Sequence, residues 1–183
     1  GLNPGRINDG EKPERGNYWD SDANAADSSI VVKLTQPAKV NKIVVIPYYY
    51  RTDYYYNYEV LVSNDNVNWT SLATFMDKEG NYNVHGQVYA LNPATPIEYV
   101  KIQGIGSNNN DKIHIVELEV YGIPYTKADK EALNALITSS ENLVGDDYTV
   151  ETWTSLEMAL KEAKAINEKI DATQEEVDAA LSS

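Results

Sequence analysis

Seven of the fourteen tyrosines fall between Pro47 and Tyr58, in the run PYYYRTDYYYNY, interleaved with Arg51, Asp53 and Asn57. Such a stretch joins flat aromatic faces and hydroxyls to a guanidinium and a carboxamide, so its chemistry is recognition by stacking and directed hydrogen bonds. Tyrosine suits this because it offers a large amphipathic surface and loses little conformational freedom on binding. The other reading is a tyrosine-rich sheet edge. Two further polar loops carry similar groups: Met76 to Gly86, with Asn81, Tyr82, Asn83 and His85, and Gly104 to Lys112, with the run GSNNND. His114 alternates with Ile113 and Ile115 and is given no role. The carboxylates Asp20, Asp22, Asp27 and Asp53 are the candidates for an acid and base pair, but they sit in short open loops with no sign of the burial that would shift their pKa values.

These groups need a rigid frame, and the flanking sequence supplies one in strand period. Ile30 to Leu34 and Val40 to Ile46 read as two strands separated by a turn at Gln36-Pro37. Tyr58 to Val62 runs into SNDNVNW, a hairpin turn in which Asn66 takes a left-handed conformation. Further strands are expected at Trp69 to Phe75, Gln87 to Leu91, Glu98 to Gln103 and Ile113 to Tyr121, which sum to an antiparallel sandwich. Leu2 to Asp27, with turn signals at Asn3-Pro4, Asp9-Gly10 and Arg15-Gly16, reads as ordered loops around Trp19. Ile7, Tyr18 and Trp19 are what that segment has to bury.

Near Pro124 the pattern changes to helical spacing, giving a boundary between residues 1–124 and 125–183. Thr126 with Asp129 resembles a capping box opening a helix that presents Leu133, Leu136, Ile137, Ser140, Leu143 and Val144 and stops at Gly145. Thr149 caps a second helix with Trp153, Leu156, Leu160, Ala163, Asn167 and Ile170 inward, and Thr173 with Glu176 boxes a third. Trp153 is core by default.

The 183 residues carry a net charge of -13 and a pI near 4.5, which sets the chain against nucleic acid and anionic membrane surfaces. With 5 lysines and 13 acidic residues after Tyr125, the helical segment holds much of that charge on a solvated face. No run is long and apolar enough for membrane insertion, the N-terminus carries no signal segment, and the chain reads as a piece of a longer protein. The absence of cysteine excludes disulfides and thiolate metal sites.

Four motifs between Ile7 and Gly122 resemble the discoidin, or coagulation-factor type C, fold and within it the family 32 carbohydrate-binding modules. They are NDG at Asn8 to Gly10 followed by Trp19 and Ser21; YEVLVSNDNVNW, Tyr58 to Trp69; EYVKI, Glu98 to Ile102; and IVELEVYG, Ile115 to Gly122. Ala128 to Ser183 resembles a FIVAR module through ADKEAL, YTVETWTSLEMALKEA and ATQEEVDAAL. The resemblance implies an all-β discoidin-like antiparallel sandwich, a jelly roll, with Trp19 and Trp69 in its core, followed by a small all-α three-helix bundle. It also implies a non-catalytic accessory fragment of a large secreted or cell-surface glycoside hydrolase of Gram-positive bacteria, with glycans and other modules of the parent as partners.

A pyranose presents an apolar patch of C–H groups and a ring of hydroxyls, so a site for it needs an aromatic face with polar groups that fix hydroxyl direction. By resemblance Arg51 and Asn57 are the sugar-binding residues, Asp20 stands where the family has a histidine, and the family's stacking aromatic falls near Lys112. The stacking ring must therefore come from Tyr50, Tyr54 or Tyr82, and His85 could donate to a hydroxyl. Terminal galactose- or hexosamine-type sugars are the implied ligands. Asp9 and Glu117 match the family's calcium ligands, with Asn17 where a threonine is usual; the alternative is that Asp9 caps a turn and Glu117 pairs with a nearby cation. A rival to the whole reading is an adhesion or protein-docking module with no sugar affinity.

Overall fold

Two long strands set the architecture. In the computed structural model, which describes residues 3–12, 16–22, 24–80 and 82–183, β2 (Ser29–Pro47) and β5 (Gln87–Ser107) each run through what the sequence marks as two strands. The other strands are β1 (Trp19–Asp20), β3 (Tyr56–Ser63), β4 (Thr70–Phe75) and β6 (His114–Pro124), in the order β1-β6-β2-β5-β3-β4, all antiparallel. Gln36-Pro37 does not end β2 but breaks its register: pairing with β5 shifts between Lys33 and Ala38 and again between Val40 and Lys42. A proline cannot donate to the ladder, so the strand bends there. Beyond the bend β2 pairs with β6 (Lys42↔Tyr121, Val45↔Leu118), whereas its first half pairs only with β5 (Ser29↔Gln103, Val32↔Val100). Both long strands thus cross from one layer of an antiparallel sandwich to the other. The turn expected at Arg15 and the loop residue Asn81 lie outside the described residues.

Period-two alternation fills the space between the layers. Tyr56, Tyr58, Val60 and Val62 on β3 face Val100 and Ile102 on β5, Val40, Ile43 and Val45 on β2, and Ile113 and Ile115, all in one buried cluster with Trp19. Val44, Ile46 and Val116 point the other way, yet they too are buried, because Tyr18, Tyr48 and Tyr49 fold back over them. The aliphatic run Val40 to Ile46 is therefore covered on both faces. At the β3–β4 turn Asn66 adopts φ 61°, and the amides of Val67 and Asn68 donate to Asp65 Oδ1 at 2.8 and 2.7 Å. Those bonds, with that from the Asn68 side chain, hold the Asp65 carboxyl well below the usual carboxylate range. Trp69 is not core: its ring is half-buried under Lys101 Nζ, 4.3 Å away.

The chain divides after Tyr125. From Thr126 it forms three helices, α1 (Glu131–Ser140), α2 (Val150–Glu168) and α3 (Gln174–Ser182), which share a core of Leu133, Ile137, Ala163, Ala172, Val177 and Ala180. Thr149 accepts from the Thr152 amide, and Thr173 with Glu176 forms a complete capping box. The first expected box does not form. α1 starts later, and Asp129 Oδ1 takes the Glu131 amide at 3.0 Å without Thr126. Because α1 ends at Ser140, Leu143 and Val144 lie past it and are exposed, as is Ile170 past α2; Trp153 is half-buried against Tyr148. We expect Thr173→Ala to cost about 1 kcal/mol by removing the Glu176 amide's acceptor. Urea unfolding followed by circular dichroism would measure it, and an unchanged midpoint would mean that the cap contributes nothing.

Candidate functional site

Pro47 ends β2, and the next residue is fixed at once, because the Tyr48 amide donates to the His114 carbonyl at 3.0 Å. From that anchor the tyrosine run spreads over one end of the sandwich. The Tyr48 ring lies 4.9 Å from Tyr18 and 6.3 Å from Tyr50, and Tyr18 in turn stacks on His114 at 4.8 Å. Arg51 forks onto Asp53, with Nε to Oδ1 and Nη2 to Oδ2 both at 3.1 Å, and its guanidinium sits 5.0 Å over the Tyr54 ring. The asparagine run straps this loop down: Asn108 donates to the Asp53 carbonyl at 2.7 Å and accepts from the Tyr55 amide at 2.8 Å.

Asp20 enters from β1, directly opposite His114 in the ladder. Its Oδ1 lies 3.3 Å from Lys112 Nζ and 3.6 Å from His114 Nε2. Oδ1 and Nε2 are both buried without a hydrogen-bond partner. Lys112 keeps 29% of its side-chain surface and Asp20 19%, so the pair meets solvent while the histidine beneath it does not. Burial pushes the His114 pKa down; the Asp20 carboxylate opposes that shift and Lys112 adds to it. The result is an acceptor and a donor side by side at the rim of an aromatic patch made by Tyr18, Tyr48, Tyr50 and Tyr54. Such an arrangement can bind a polyhydroxylated ligand face-on.

Of the residues expected from sequence, Asp20, Tyr50, Arg51 and Tyr54 come together here. Tyr82 does not: it is 7% exposed, stacks on Tyr56 at 5.9 Å, and its hydroxyl accepts the Tyr56 amide at 2.8 Å, so it is core and cannot stack on a ligand. Tyr56, read as part of the loop, is fully buried in β3, as is Tyr58, where the strand was expected to begin. Asn57 also lies on β3, and its Oδ1 accepts the Asp77 amide at 2.7 Å, which makes it an anchor for the following loop. His85 is exposed in a turn where its amide donates to Asn83 Oδ1, and no hydrogen bond, ion pair or ring contact among the described residues joins it to the cluster. Sequence reasoning missed Tyr18, Tyr48, Lys112 and His114. The signal was present in the motif: Lys112 stands near the family's aromatic position and Asp20 at its histidine, a reciprocal change that forms an ion pair.

A second acidic group gathers behind the N-terminal turn. Asp9 Oδ2 and Glu11 Oε2 both accept from Asn17 Nδ2 at 3.2 Å, and Asp9 Oδ1 caps the Glu11 amide at 2.9 Å. Glu117 is 3% exposed and accepts the Gly10 amide at 3.1 Å, its one hydrogen bond among the described residues; the cation Lys12 pairs instead with Glu119. Burial, reinforced by the charges of Asp9 and Glu119, pushes the Glu117 carboxyl up to about 7. Among the described residues these acids do not form a closed metal-ligand set. Their chemistry is nevertheless of the kind a hard cation takes: Asp9, Glu11 and Asn17 form one hydrogen-bonded group of oxygen donors, and the buried Glu117 reaches the same turn through the Gly10 amide.

Comparison with known proteins gives a consistent picture. Residues 3–118 match the family described as F5/8 type C domain. No curated protein matches the chain by sequence. Among solved structures, the CBM32 of AlyQ in complex with 4,5-unsaturated mannuronic acid is 20% identical, covers 64% of this chain and 84% of its own, and superposes with a TM-score of 0.53. A pectin-binding carbohydrate-binding module is 21% identical over 65% of this chain and 79% of its own, with a TM-score of 0.53. A family 89 glycoside hydrolase from Clostridium perfringens is 17% identical over 75% of this chain but only 16% of its own length, with a TM-score of 0.54. At these identities the likeness is one of fold. Among the described residues no helix is long and apolar enough to cross a membrane.

Proposed function

The chain belongs to the F5/8 type C domain family through residues 3–118, and on that footing we propose that it is a non-catalytic carbohydrate-binding fragment of a larger secreted or cell-surface bacterial enzyme. The observation that carries this reading is the Asp20–Lys112 pair set beside the rings of Tyr18 and Tyr48. A ring hydroxyl donates to Asp20, another accepts from Lys112, and the apolar face of the sugar lies on tyrosine. Arg51 and Tyr54 extend the surface toward a second sugar unit. Terminal galactose- or hexosamine-type residues of host glycans are the expected ligands. Calcium, held by Asp9, Glu11, Asn17 and Glu117, neutralises the acidic turn and is structural.

Absence of catalysis follows from the same carboxylates. Asp53 is forked onto Arg51, which lowers its pKa and keeps it from serving as a general acid, and Asp20 is paired with Lys112 rather than with a second carboxylate. The helices from Thr126 onward act as a FIVAR-type spacer or docking module in a parent of Gram-positive origin. One small open site binds weakly, and repeated modules gain by avidity.

A glycan array probed with the whole chain tests the reading. Wild type is expected to retain terminal galactosides or N-acetylhexosaminides. Asp20→Ala should lose at least about tenfold in apparent affinity, since it removes a charged acceptor and strands Lys112. Arg51→Ala should lose less, because the arginine is exposed and already paired. Binding to no glycan by a folded chain would favour the protein-docking reading instead.

A further inference from the structure

His114 is 5% exposed and is packed by groups from every direction: Tyr18 and Asp20 from the N-terminal segment, Tyr48 from the loop after β2, Tyr56 from β3, and Asn109 and Lys112 from the asparagine loop. Its Nδ1 lies 3.3 Å from both the Asn109 Nδ2 and the Tyr56 hydroxyl. A carboxamide nitrogen can only donate, and the Tyr56 hydroxyl, which itself accepts from Asn109 Nδ2 at 3.4 Å, has its own proton left to give. Nδ1 is therefore an acceptor, and the proton of the neutral ring sits on Nε2. That Nε2–H faces Asp20 Oδ1. At 3.6 Å this contact is electrostatic rather than a hydrogen bond, and Lys112 Nζ approaches the same buried oxygen at 3.3 Å.

We propose that His114 is a positioning residue for the sugar site: with Nδ1 occupied by Asn109 and Tyr56, it presents Nε2–H to Asp20 Oδ1, so that Asp20 and Lys112 face the ligand as a fixed acceptor and donor matched to two adjacent hydroxyls of a neutral sugar. The proposal rests on the carbohydrate-binding reading and adds a selectivity. Lys112 and Arg51 are each already paired with an acid, Asp20 and Asp53, so among the described residues the site holds no uncompensated lysine or arginine for a uronate. It differs in this from a surface built to take an acidic sugar, where an unpaired lysine or arginine meets the carboxylate. Neutral diols satisfy the pair without disturbing it.

Three measurements on the full chain decide the matter. Long-range ¹⁵N–¹H correlation of the His114 ring at neutral pH is expected to show the Nε2–H tautomer; an Nδ1–H ring overturns the proposal, with or without a ligand. Titration with methyl galactoside and N-acetylgalactosamine should show His114→Phe, which keeps the ring volume but donates nothing, binding about tenfold more weakly, while His114→Gln, whose carboxamide can reach Asp20, stays within about threefold of wild type. Equal binding by wild type and His114→Phe overturns it. Should His114→Phe fail to fold, Asn109→Leu carries the same expectation, because it frees Nδ1 and lets the ring turn over. Affinity should also fall as pH drops through the depressed His114 pKa, since an imidazolium would set Nδ1–H against the Asn109 donor, and galacturonate should not compete at neutral pH. If wild type binds neither neutral sugar, the carbohydrate reading fails, whereas the tautomer still reports on the positioning geometry.

Discussion

Calcium is expected to raise the melting temperature of this protein, and to raise it more at pH 8 than at pH 5. The reason lies in Glu117, whose carboxyl is pushed up to about 7 in the folded chain, against an ordinary value of 4.5. Between those two values the folded state holds a proton that the unfolded state has released, so without a cation stability falls as pH rises through this window. Below about 4.5 both states are protonated and the penalty disappears. Above about 7 the buried carboxylate is charged beside Asp9 and Glu119, answered in part by the Gly10 amide and the more distant charge of Lys12. A bound cation would answer it. At a hundredfold excess over its dissociation constant calcium contributes about 2.7 kcal/mol, which for a chain of this size shifts the midpoint by roughly 5–10 °C. Thermal scans with calcium and with chelator, at both pH values, measure this. Glu117→Gln should remove most of the calcium response and, in chelator at pH 8, should melt higher than wild type. Identical scans with and without calcium at pH 8 would show that Asp9, Glu11, Asn17 and Glu117 hold no cation.

Gly104→Ala is expected to be the most damaging single methyl in the sandwich, costing about 3 kcal/mol. A β-carbon there would lie 2.1 Å from the Ala25 carbonyl oxygen and 2.8 Å from Ile113 Cγ1, and the oxygen belongs to backbone that cannot rotate away. Retreat is blocked on both sides. The Gly104 amide is bonded to the Ser28 carbonyl at 2.9 Å, and the Ala25 amide to the Asp111 carbonyl at 2.6 Å. Displacing Ala25 therefore drags Asp111, and with it the neighbouring Lys112 of the candidate site. Loss of stability and loss of glycan binding should appear together in this variant. Gly106→Ala, where the added carbon meets nothing within 4 Å, is the control and should be near neutral in both. Denaturant titration of the two variants tests the pair, and a Gly104→Ala midpoint equal to that of Gly106→Ala would sink the steric argument.

How far the sequence could be read depended on whether local chemistry decided the outcome. The Asp65 turn and the Thr173–Glu176 box depend on groups within a few residues of one another, and both were legible. Thr126 and Asp129 had the same spacing as a box, but Asp129 also sits against α3, where its amide donates to Gln174, and the helix starts elsewhere. Inside the tyrosine run, composition hid the period: Tyr56 and Tyr58 alternate with Asn57 as an ordinary inward face of β3, while Tyr48 to Tyr54 leave the ladder. Nothing in that run distinguishes seven similar rings. His114 was overlooked because a histidine between two isoleucines looks like filler, and its meaning comes from Asp20, Asn109 and Tyr56, which are distant or belong to other elements. The pairing of Asp20 with Lys112 needs the closure of β1 on β6, a contact between the two ends of the sandwich domain.

The way β2 and β5 pass from layer to layer also bears on how the chain reaches its native state. Ser29 meets Gln103 and Val45 meets Gln87 on the same two strands, so neither layer can be completed while the other is open. Long segments must be brought together before most of those contacts repay the entropy of closure. The sandwich should accordingly assemble as one cooperative event on a scale of roughly milliseconds to seconds, after the short-range helices from Thr126 onward have already formed.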